Sequence, residues 1–360
     1  MAAATRTPWW ALVCPALAWV ILIVTFTAGA SGVIAATAGA VLIATVFVAV
    51  YHAEVVAHRI GEPFGTLVLA VAVTVIEVAL IVSVMVGAAA DKTELARDTV
   101  FAAVMIVCNG IVGLCLLSGG MRHHEQGFQA QGANSALAVL AALTTLTLIL
   151  PNVTTSVVGP QFSTAQLSFA GIVSLVLYGS FIFVQTVRHR DYFLPVEDES
   201  EETHAPLPSG RTALVSAGLL LAALIAIVGL AKALTPTLEF GVDRLGAPKA
   251  VVGIVIAALV LLPEGLAALR AARLNRLQTS LNLALGSALA TIGLTIPAVA
   301  VVSIALHQPL ALGLDVKEEV LLALTLFVSV VTLGTGRTTV LQGIVHLVIF
   351  ATFLFLAVVP

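Results

Sequence analysis

GTLVLAVAVTVIEVALIVSVMVG, residues 65–87, decides the fold. It is long enough to cross a bilayer as one helix, and its single charge is Glu77. A carboxylate at the centre of a membrane helix costs roughly 2.5–3.5 kcal/mol on insertion scales. Such a group faces a partner or a water-filled cavity, and it marks an ion or proton path. A second apolar stretch, residues 248–270, holds a second one, Glu264, beside Pro263. One glutamate deep in an apolar stretch in each half of the chain is the centre of the reading.

The surrounding sequence has the same character. Of 360 residues, 60% are hydrophobic and only 10% charged, against about 25% in a soluble domain. Eleven stretches are apolar enough to span: 9–29, 32–54, 64–88, 95–118, 133–151, 165–187, 211–234, 248–270, 279–305, 317–334 and 338–359. The fold class expected is an all-α polytopic membrane protein of about eleven transmembrane helices. The first apolar run has no clear cleavage signal and reads as a helix, not a signal peptide. Cys14, Cys108 and Cys115 all lie in apolar stretches and read as packing residues, not as disulfides or zinc ligands. With the N-terminus cytoplasmic, ten of the sixteen Lys and Arg residues fall in inner loops, as positive-inside topology requires.

The longest hydrophilic connector, from Arg188 to Arg211, contains the acidic run Glu197 to Glu202. It divides the chain into a leading helix (1–31), a five-helix repeat (32–187), an acidic cytoplasmic linker (188–210) and a second five-helix repeat (211–360). Arg59-Ile60-Gly61-Glu62-Pro63 precedes one glutamate, and Arg244-Leu245-Gly246-Ala247-Pro248 precedes the other. Glu77 follows Gly61 by 16 residues and Glu264 follows Gly246 by 18. An odd number of helices per repeat makes the second repeat enter from the opposite side. Inverted repeats of this kind place an ion site near the midplane, on helices that are often broken. Pro263 is expected to supply such a break.

Around both glutamates the chain resembles the cation/calcium exchanger superfamily. It is most similar to the calcium/proton branch and its bacterial ChaA-like calcium (sodium, potassium)/proton antiporters. Residues 65–87 resemble the first of that family's alpha-repeats. VLLPEGLAALRAARLNRLQTSLNLALGSALATIGLTIPAVA, residues 260–300, resembles the second, with Gly286-Ser287-Ala288 at its G-S-A. GGMRHHEQGF, residues 119–128, resembles a G-G-x-x-x-x-E-Q-x-F feature of the branch. The sequence departs from the pattern at Val73-Thr74, Val260-Leu261, Gly265 and Ala290. Where the family carries amides and a histidine, this chain is poorer in ligands, which suits a looser site that also takes sodium or potassium.

The resemblance implies a secondary transporter of a prokaryotic-type plasma (inner) membrane. Glu77 and Glu264 are its expected cation and proton carboxyls. Thr74 lies one turn before Glu77, and Ser83, Asn109, Ser287 and Thr291 are further candidate oxygen ligands. Calcium takes six to eight oxygens in flexible geometry, and two carboxylates neutralise it. Without the cation, two like charges in low dielectric take up protons, so cation and protons compete for the same groups. Calcium:proton exchange by alternating access is the leading expectation. Sodium or potassium:proton exchange with little calcium activity is the alternative. An intramembrane enzyme is a remote one, since no H-E-x-x-H, G-x-S-x-G or Walker motif occurs. His123 and His124 are candidate regulatory groups, because histidine titrates near neutral pH. The expected partners are small cations, protons and the lipid bilayer, with no cofactor and no nucleic acid. The oligomeric state stays open.

Overall fold

The computed structural model describes residues 8–30, 32–61, 72, 74–79, 81–82, 94–194, 207–244, 246, 248 and 250–359. The protein is an all-α polytopic membrane protein. Among the described residues, nine helical stretches are long and apolar enough to cross a membrane. The stretch at 317–334 also forms a helix, but it opens on Lys317, Glu318 and Glu319. The stretch at 64–88 falls largely outside the described residues, as do Ser83 and the acidic run Glu197 to Glu202.

The chain divides into two compact units, one made of Met1–Gly87 and Thr203–Lys249, the other of Ala88–Glu202 and Ala250–Pro360. In the first, α1 (Trp9–Ala28), α2 (Gly32–Ile60) and α8 (Gly210–Arg244) pack together. Small residues allow the close approach: Ala18, Ala38, Ala223 and Ala226 are fully buried, and Gly229 faces the Leu22 side chain. His52 is buried on α2 with Nε2 2.9 Å from the Ala11 carbonyl of α1. The short helical stretch holding Glu77, α3, covers described residues 74–79.

Two boundaries differ from expectation. α2 runs to Ile60, not 54, and α8 runs to Arg244, not 234. Loss of apolarity marks where a helix leaves the hydrocarbon, not where its hydrogen bonding ends. The stops are glycines at positive φ, Gly61 at 80° and Gly246 at 65°. Left-handed glycine is the usual helix terminator. The R-x-G-x-P match is therefore a pair of like terminations on α2 and α8.

The second unit holds α4 (Leu95–Met105), α5 (Val112–His123), α6 (Ala130–Thr144), α7 (Thr164–Phe183), α9 (Ala250–Arg273), α10 (Leu277–Leu306), α11 (Val316–Leu333) and α12 (Val340–Val358). A π-helical turn, Ile106–Ile111, joins α4 to α5. α10 is the core helix, packed by α5, α6, α7 and α9. Features here occur twice. α5 closes on α12 and α10 closes on α7, each through glycines. Strand β1 (Gln126–Gly127) pairs antiparallel with β2 (Arg337–Thr338), and a second bridge joins Gln161 to Ala311. α5 and α10 both end on a histidine at positive φ, His124 and His307. α7 and α12 both begin with a capping box, Ser163 with Gln166 and Thr339 with Gln342.

The expected break at Pro263 is absent: α9 is continuous from Ala250 to Arg273. Proline removes its own N–H and one helical bond. The residues on either side keep theirs, and α4, α5 and α10 pack around the helix. Arg97 lies in the first turn of α4 and is 5% exposed. It bonds Asp98 at 2.9 Å, Glu94 at 3.2 Å and the Gly313 carbonyl at 3.1 Å.

Candidate cation site

Glu264 sits on α9 and continues past Pro263 in regular helix. Its Oε2 accepts a hydrogen bond from the Ser287 hydroxyl on α10. The partner of this carboxylate is thus a neutral hydroxyl. Pro263 has no N–H to donate to the Leu259 carbonyl one turn earlier. Gly286, which precedes Ser287, lines a small cavity with Gln185, Gln278 and Asn282. Gln278 Nε2 donates to Asn282 Oδ1 at 3.0 Å, and Asn282 Nδ2 donates to the Phe193 carbonyl.

Thr291 follows Ser287 by one turn of α10 and is buried at 2% exposure. Thr295 follows by another turn, and its buried hydroxyl has no hydrogen-bond partner among the described residues. Spacing of four residues puts the three hydroxyls on one stripe. Most other buried threonines here bond the carbonyl four residues back, as Thr45, Thr99 and Thr144 do. In the other unit, Glu77 and Thr74 are both buried on α3, at 2% and 4% exposure, one turn apart.

Asn109 is buried inside the π turn. Its amide nitrogen donates to Thr325 Oγ1 at 2.9 Å, and its Oδ1 lies 3.2 Å from His346 Nδ1. The amide is engaged in a network across α11 and α12. His123 Nε2 lies 3.1 Å from the Arg273 carbonyl at the end of α9. His124 caps α5 in the left-handed region and is exposed. Beside them, Gln126 is buried and donates to the Ala272 carbonyl at 2.9 Å and Asn275 Oδ1 at 3.0 Å. The GGMRHHEQGF stretch thereby clamps the α9–α10 turn.

Gly265 explains a departure from the family pattern. A Cβ there would stand 3.1 Å from Ile111 Cδ1 of the π turn, so a histidine has no room without rearrangement. Two residues were missed in the sequence. Tyr178 on α7 is 7% exposed, lies within electrostatic reach of Glu264, and has a hydroxyl without a hydrogen-bond partner among the described residues. His346 on α12 is wholly buried. The signal for His346 was present: one ionisable side chain in an otherwise apolar span.

Residues 28–187 and 215–359 match the family described as sodium/calcium exchanger protein. The chain belongs to that family. It is 52% identical to the putative ionic transporter y4hA of Sinorhizobium fredii (strain NBRC 101917 / NGR234), over 99% of this chain and 97% of that one. It is 37% identical to the sodium-potassium/proton antiporter ChaA of Escherichia coli (strain K12), over 87% of this chain and 85% of that one. Its fold is similar to the crystal structure of the H+/Ca2+ exchanger CAX, with a TM-score of 0.72 at 17% identity, over 96% of this chain and 87% of that one. Membership makes the exchanger a transporter and sets aside the intramembrane-enzyme reading.

Proposed function

We propose that the exchanger is a secondary cation/proton antiporter in which Glu77 and Glu264 carry the cation and protons in turn. The observation that carries this is Glu264: a carboxyl within a membrane helix, partnered by the neutral Ser287. A group so placed is stable when it binds a cation or a proton and costly when bare and charged. Binding either one makes the site mobile across the barrier, whereas the empty charged state is held back. That asymmetry couples the two fluxes. Ser287, Thr291 and Thr74 supply further oxygens.

Calcium is the substrate two carboxylates suit best, with about two protons returned per ion. A second reading, exchange of sodium or potassium with little calcium activity, is favoured by the ligand-poor surroundings of Glu264 and by the printed activity of the Escherichia coli relative. The charge distribution supports a prokaryotic-type plasma membrane protein with a cytoplasmic N-terminus. The twin caps, twin bridges and twin glycine stops support the repeats at 32–187 and 211–360, and His123 at the α9–α10 turn is the candidate regulatory contact.

Everted vesicles with a preset proton gradient and a pH-sensitive dye test this. Calcium, sodium and potassium chlorides added in turn identify the substrate. Glu77→Gln and Glu264→Gln should each abolish the cation-driven signal, and full activity in both would overturn the assignment.

A further inference from the structure

The antiport cycle above makes no use of His346, the ionisable residue of α12. It is fully buried, with Nδ1 3.2 Å from Asn109 Oδ1 and Nε2 3.2 Å from Thr332 Oγ1. Because the Asn109 amide nitrogen donates to Thr325, its oxygen is the atom facing the ring. That oxygen only accepts, so Nδ1 carries the hydrogen and Nε2 accepts from the Thr332 hydroxyl. The neutral ring is satisfied on both sides. An apolar residue in its place would take this partner from the Asn109 oxygen and the Thr332 hydroxyl in a dry interior, where that is costly.

Asn109 is also the polar residue of the π turn Ile106–Ile111, and Met105 before it contacts Thr325 at 3.4 Å. A π turn carries one extra residue in a helix and persists where something fixes it; such turns concentrate at functional sites. On its other side the same turn reaches Gly265, the residue after Glu264. Ile111 packs directly on Gly265, close enough that a Cβ would stand 3.1 Å away. The turn is thus a wedge with His346 on one side and the backbone next to Glu264 on the other.

We propose that His346 is a positioning residue for the exchange reaction: by holding Asn109 it locks the π turn, which sets the placement of Glu264 through Ile111 and Gly265. This rests on the reading of Glu264 as a cation carboxyl. His346 touches neither cation nor proton in this role. Its removal should weaken cation binding while leaving the maximal rate largely intact.

The test uses the full-length protein in everted vesicles, titrated with calcium, sodium and potassium chlorides at matched membrane abundance. His346→Leu should raise the apparent KM of whichever cation drives the wild-type signal about tenfold, with maximal rate within about twofold. His346→Asn, which returns an amide donor near the Nδ1 position, should recover most of that loss. Asn109→Leu should match His346→Leu, and the double variant should be no worse than either single one, since both act through one contact. If His346→Leu does not reach the membrane, Thr332→Val substitutes for it and should raise KM about threefold. A wild-type KM in His346→Leu or Thr332→Val, or a loss of maximal rate with KM unchanged, overturns the inference. Silence of the wild type toward all three cations would instead overturn the antiport reading itself.

Discussion

Ser287 shows how much a single hydroxyl can decide. It donates to Glu264 Oε2 from the neighbouring helix, so it favours the charged form of the carboxyl that the proposed cation site requires. Hydrogen bonds to charged groups are worth about 1.5–3 kcal/mol. Ser287→Ala should therefore raise the apparent KM for the cation about tenfold or more in vesicle titrations. The loss should be larger at acid pH, where protons compete harder for Glu264. An unchanged KM at every pH would mean that the hydroxyl does not act on the carboxyl. Ser287 was legible from Gly286-Ser287-Ala288 alone, because it lay within a motif. Tyr178 was not, because nothing local marks which helix an isolated polar residue will face, and for His346 the local signal marked a costly residue but not its partners.

The helices of the second unit approach one another through glycine. A Cβ on Gly343 of α12 would collide with the Leu117 backbone of α5. One on Gly241 of α8 meets nothing within 4 Å among the described residues. Gly343→Ala should cost about 1–3 kcal/mol by overpacking, read as a lower melting temperature of the detergent-solubilised protein. Gly241→Ala should be neutral or stabilising by up to about 1 kcal/mol, since alanine is the better helix former. Equal melting temperatures for the two variants would refute this account of the α5–α12 contact. Apolar stretch length located these helices but gave no measure of how closely any pair would pack. It also set the ends of α2 and α8 too early, since hydropathy follows the bilayer and not the backbone. The unbroken α9 has the same lesson for Pro263: neighbouring helices support a turn that an isolated helix would bend.

At the scale of the whole molecule, several features recur among the described residues. β1 with β2 lies at the ends of α5 and α12, and the Gln161–Ala311 bridge lies between the ends of α7 and α10. If the repeats are inverted, these two bridges lie on opposite membrane faces. In a background lacking Cys14, Cys108 and Cys115, Glu125→Cys should label with an impermeant maleimide from the cytoplasmic face, and Pro309→Cys from the other. Labelling of both from one side would refute the inverted topology. The sequence by itself determined the class of molecule, the two costly glutamates, their matched surroundings and the family. Each of these follows from composition or from residues close together in the chain, where the cost of a charge in hydrocarbon is felt locally. Only the tertiary structure decided that Glu264 is held by Ser287, that Gly265 yields its space to Ile111, and that Asn109 turns to His346. Those contacts join residues far apart in sequence, and they depend on the close packing of helices, which no single helix encodes.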